Sequence, residues 1–75
     1  MYHSSNLFVA AVVCYQGFEV HSIDAKNPKR AVFYFEDEQG AKDAANKYWA
    51  GELMVNAKDL FNIIADLKTQ INKAQ

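Results

Sequence analysis

The chain has 75 residues, 51% of them hydrophobic against 23% charged, which makes it one globular α+β-sized domain with a core near the lower limit of independent stability. A formal net charge of −1 excludes the strongly basic surface of a general nucleic-acid or acidic-membrane binder. One cysteine, Cys14, excludes an internal disulfide and a zinc site built on several thiolates, and points to the cytoplasm.

Met1 to Ser5 reads as a short polar lead, and Asn6 has the chemistry of a helix cap. Leu7–Tyr15 is apolar throughout. It is too short to span a bilayer and has no cationic lead or small-residue cleavage site, so the chain is expected to be soluble and unprocessed. Two readings of this segment stand. Its valines suit a strand turning at Gln16-Gly17, whereas the Ala10-Ala11 pair, the shared face of Leu7, Ala10, Ala11 and Cys14, and Gly17 at a C′ position suit a helix. The balance favours a helix. Being apolar all round, it must be a core helix or one face of a dimer.

From Phe18 to Ile23 the pattern alternates, with Phe18, Val20 and Ser22 on one side and Glu19, His21 and Ile23 on the other, which predicts a strand. Asp24 to Lys29, with Pro28, is turn chemistry. A second strand over Arg30 to Glu36 sets Ala31, Phe33 and Phe35 on one face and Val32 and Tyr34 on the other. This stretch is the predicted centre of the fold.

Asp37 then caps a helix whose Ala41, Ala44, Ala45 and Tyr48 form a small-residue stripe, with Gly51 as its stop. Glu52 to Val55 connects to Asn56, which caps a third helix with Asp59 in the manner of a capping box. Leu60, Ile63, Ile64, Leu67 and Ile71 give the clearest helical stripe in the chain. No internal repeat or second domain is visible, so residues 1–75 form a single small α+β domain: an antiparallel β-hairpin packed against helices.

With these elements placed, the chain resembles one of the uncharacterised "domain of unknown function" families of short bacterial and phage proteins. The residues that carry the likeness are the early Leu7-Phe8-Val9-Ala10-Ala11 helix closed by Gly17-Phe18, the Arg30 to Asp37 strand, Tyr48-Trp49 followed by Gly51-Glu52, and Phe61 with Leu67-Lys68. It departs at Asn56-Ala57, where such sequences often carry a proline. The resemblance implies a helix over Leu7 to Tyr15 and an αββαα order; it brings no activity with it.

Chemistry is sparse. Cys14 lies in the most apolar run, where a cysteine acts as a small hydrophobe, not as a nucleophile served by His3 or His21. The histidines and Glu36-Asp37-Glu38 lack ligand spacing for a metal, and the carboxylates suit helix capping. Glycines 17, 40 and 51 form neither a phosphate loop nor a dinucleotide fingerprint. No cofactor is expected, and no catalytic constellation.

Two binding readings remain. In the first, the chain is a noncatalytic protein-interaction module, homodimeric or with another protein, contacting its partner through Trp49, Leu53 and Met54. Trp49 either closes the core beside Met54 or, left at the rim, serves as an anchor. The alternative is a small nucleic-acid-binding accessory protein using Lys26, Lys29 and Arg30, three cations against the two carboxylates of Glu19 and Asp24. Phe33 and Phe35, which could in principle stack on bases, fit better as the floor of the core.

Overall fold

A computed structural model describes residues 1–74. The elements run β1 (Tyr2–Ser4), α1 (Leu7–Tyr15), β2 (Ser22–Asp24), a 3-10 turn (Pro28–Arg30), β3 (Val32–Phe35), α2 (Glu38–Trp49) and α3 (Ala57–Ala74). The expected α+β class, hairpin and three helices are all present. One strand is added at the start: Tyr2–Ser4, read as a polar lead, is an edge strand. The sheet order is β1-β3-β2, with both neighbours antiparallel to β3.

Each boundary has a local cause. Asn6 caps α1, its side-chain oxygen accepting from the backbone N–H groups of Phe8 and Val9. Asp37 does the same for Gly40 in α2. Both helices end in the same way. In α1, Gly17 N–H donates to Cys14 C=O and Phe18 N–H to Val13 C=O; in α2, Gly51 N–H donates to Tyr48 C=O and Glu52 N–H to Lys47 C=O. This is the Schellman pattern, which needs a left-handed C′ residue, and Gly17 and Gly51 supply it at φ 104° and 70°.

In α3, Asn56 accepts from Asp59 N–H as expected, but the other half of the capping box is replaced. The Asn56 N–H donates at 3.0 Å to the hydroxyl of Tyr15, at the far end of α1. A second tie joins α1 to α2, where the Gln16 amide donates to the carbonyls of Val12 and Ala44.

The alternation from Phe18 to Ile23 is interrupted. Phe18, Val20 and Ile23 all pack on the core, which is incompatible with a strict two-residue period. The phase slips at His21-Ser22: His21 N–H donates to Tyr34 C=O at 2.7 Å while Ser22 is the residue opposite Tyr34. Two residues therefore face one, and regular pairing is confined to Ser22–Asp24, a shorter strand than the sequence suggests. Arg30, expected to open β3, sits in the 3-10 turn.

The core is a single cluster. Val9 to Val13 of α1 are buried all round, which makes it a core helix and leaves Phe8 exposed at its start. Phe33 and Phe35 are buried from the sheet side, as are Ala41, Ala44 and Ala45 of α2 and Ile64 and Leu67 of α3; Leu60, Ile63 and Ile71 are half-buried against them. At 1.5 Å per residue α3 is about 27 Å long, comparable with the longer dimensions of the molecule, 33 × 27 × 18 Å.

Gly40 gives a local test of this packing. A Cβ there would lie 2.6 Å from both Asp37 Oδ2 and Phe18 Cε1. Alanine raises helix propensity by up to about 1 kcal/mol, but it must displace both the capping carboxylate and a ring packed on the core. Gly40→Ala is expected to lower stability by about 1–2 kcal/mol in urea unfolding. A more stable variant would show that the space is there.

Candidate functional site

The connection between α2 and α3 is held at both ends. The Schellman bonds fix Gly51 and Glu52, and Tyr15 holds Asn56. Between these points Leu53 and Val55 are half-buried while Met54 points out, 92% exposed. Trp49, the last residue of α2, is 66% exposed. Its ring rests edge-on against Tyr48, with centroids 5.0 Å apart and planes at 77°, the favoured geometry for an aromatic pair. Tyr48 is itself packed on the core. Of the two readings of Trp49, the rim position is the one found. Trp49 and Met54 are thus large apolar side chains presented on backbone that is already ordered; Leu53, expected beside them, contributes less because it is partly covered.

The three cations also fall in one place. Lys26, Lys29 and Arg30 are all exposed on the turn joining β2 to β3. Asp24 Oδ1 accepts from Lys26 N–H, Asn27 Oδ1 from Lys29 N–H, and Asn27 C=O from Arg30 N–H. These bonds make a tight loop. The Met1 amino group to Glu38 ion pair and the His21–Glu36 contact at 3.0 Å, found among the described residues, involve none of the three cations.

The sheet has a covered face and an open one. Phe33 and Phe35 point into the core; on the other side β3 shows half-buried Val32 and Tyr34, flanked by exposed His3, Ser22 and Asp24. His3 and Tyr34 are cross-strand partners with ring centroids 5.9 Å apart. Next to them an open depression of about 410 Å³ is lined by His3, Ser4, Ser5, Arg30 and Val32. Sequence reasoning missed His3, Ser4 and Ser5, because nothing in a five-residue polar lead announces a strand beside β3. The outward parity of Tyr34 was the one usable signal.

Cys14 is half-buried beside a hollow of about 330 Å³ lined by Phe18, Glu19, Val20, Ile63, Asp66, Leu67 and Gln70, with neither histidine among them. Burial, and then the negative charge of Asp66, push its thiol up to about 11, only partly opposed by a backbone hydrogen bond. Among the described residues no three His, Cys, Asp or Glu side chains converge to hold a metal ion, and no helix is long and apolar enough to cross a membrane.

Residues 1–73 match the family described as "Domain of unknown function (DUF5659)". The chain belongs to that family. The match runs from β1 through nearly all of α3. No curated protein and no solved structure matches the chain.

Proposed function

We propose that this DUF5659 chain is a noncatalytic protein-interaction module, cytoplasmic, whose contact is centred on Trp49 and Met54 and whose simplest partner is a second copy of itself. The observation that carries the reading is Trp49, a tryptophan left 66% exposed at a helix end yet held in place by Tyr48. Ordered aromatic anchors bind with little entropic loss, since their rotamers and backbone are fixed beforehand. Met54, on backbone pinned by Gly51 and Asn56, adds an adaptable apolar contact. A core of this size also gains stability from association. The noncatalytic part of the reading draws on the placement of Cys14, whose hollow is lined by neither histidine and whose thiol is raised by burial.

Light scattering across a concentration series tests it. The wild-type mass is expected to rise from one 8.5 kDa chain towards two. Trp49→Ala is expected to weaken self-association by roughly 1,000-fold, because the substitution removes the anchor from both copies and each is worth about 2 kcal/mol. Because Trp49 is exposed, the variant should keep the wild-type unfolding midpoint at concentrations where the wild type is a single chain. A wild-type mass fixed at one chain at the highest concentration removes self-association, and equal association by Trp49→Ala removes the anchor.

A further inference from the structure

The open face of the sheet, away from Trp49, carries a separate chemistry. Arg30 sits at the rim of the depression beside Ser4, Ser5 and His3, and Lys29 and Lys26 lie on the same tight turn. Ser4 pairs with Phe33 and so belongs to the covered face, where its Oγ accepts a hydrogen bond from Asn6 N–H. A guanidinium with Ser5 beside an open hollow suits a phosphate group, which offers only acceptor oxygens and negative charge. Beyond the hollow lie the Tyr34 and His3 rings, on a face where β3 otherwise shows only Val32.

We infer that this face binds single-stranded nucleic acid, with a backbone phosphate at Arg30 and Ser5 and a base stacked on the Tyr34–His3 pair. The charge complementarity is local. The cations on the turn are engaged in none of the ion pairs among the described residues, although the chain as a whole carries −1. Asp24, opposite Val32, is an opposing charge by register, and its Oδ1 accepts from Lys26 N–H. Single strands fit better than a duplex because the platform offers ring faces, which only unpaired bases can use. The surface is small, so the sequence preference is weak and affinity depends strongly on salt.

Fluorescence anisotropy with a labelled oligothymidylate, repeated with oligouridylate, tests the inference. Binding is expected at low salt, falling with a log–log slope of about −2 for three cations on a single strand. Arg30→Ala should reduce that slope by about 0.7, and Tyr34→Ala should weaken binding roughly tenfold while leaving the slope unchanged. Asp24→Asn should tighten it. Should Tyr34→Ala prove unfolded by circular dichroism, His3→Ala, at an exposed edge position, reads the same platform. The inference is overturned by the absence of saturable binding at low salt, by wild-type affinity in both Arg30→Ala and the ring variant, or by displacement with inorganic phosphate at equal phosphate concentration. That last result would mark a plain phosphate site.

Discussion

Phe33→Ala is expected to lower the stability of the protein by about 3–5 kcal/mol. Phe33 is 1% exposed at the middle of the central strand, opposite Ser4 on one side and Ile23 on the other. Truncating a buried phenylalanine costs about 3–5 kcal/mol, the lost transfer energy plus the cavity left behind. Globular proteins have about 0.05–0.15 kcal/mol of stability per residue, so a chain of 75 residues has roughly 4–11 kcal/mol in total. One substitution therefore removes at least about a quarter of it. Relief by collapse is limited, because the surrounding side chains come from the sheet and all three helices and cannot close on the cavity together. Val32→Ala is the matched control: one residue earlier in β3 and on the open face, it should cost about 1 kcal/mol. Urea unfolding followed by circular dichroism reads both. Equal midpoint shifts for the two variants would mean that β3 does not have one covered and one open face.

The helices were legible because their ends are written in single residues whose chemistry has few other uses. Asn6, Asp37 and Asn56 begin them, and Gly17 and Gly51 adopt the left-handed conformation that ends the first two. The parity of β3 was legible for a similar reason: Phe33 and Phe35 alternate with Val32 and Tyr34, and α3 has a stripe that requires an apolar floor. What could not be read were features decided between segments. β1 has three residues and one substantial apolar side chain, Tyr2, whose packing against Phe35 at 6.3 Å between centroids exists only once the strands are paired. The phase slip at His21-Ser22 keeps both Val20 and Ile23 on the core, and no local pattern distinguishes that from an ordinary strand. The replacement of half the α3 capping box by the Tyr15 hydroxyl joins residues 41 apart in the chain.

The candidate surfaces divide along the same line. Lys26, Lys29 and Arg30 are a local cluster and were visible as one, while the serines and histidine beside Arg30 come from β1 and were not. Trp49 was visible as a residue and ambiguous as a position. A side chain about 100° from Tyr48 around the helix can close a core or leave it, and the termination of α2 at Trp49 decides the matter. Exposure at that point thus follows from Gly51, two residues on, as much as from the tryptophan itself.

Alkylation of Cys14 by iodoacetamide at pH 8 is expected to run about 100-fold slower in the folded protein than in urea. Only the thiolate reacts. With the thiol pushed from 9.0 up to about 11, about one molecule in a thousand carries it at that pH, against about one in ten when the chain is unfolded. Burial is the larger cause and Asp66 the smaller, so Asp66→Asn should accelerate the reaction only a few-fold. The same shift links stability to pH with a definite sign. A group whose pKa is raised by folding contributes stability that is complete below its unfolded value, here 9.0, and is lost as pH climbs through about 11. Because the thiol is only half-buried, solvent screening limits this contribution to roughly 1–2 kcal/mol. Comparing wild type with Cys14→Ala isolates it: the stability difference should hold steady up to pH 9 and then shrink towards pH 11. Tyr2, whose hydroxyl is also raised by burial, titrates in both proteins and cancels. A Cys14 that reacts at pH 8 as fast folded as unfolded would instead be an accessible thiolate, and the noncatalytic reading of the chain would lose its chemical support.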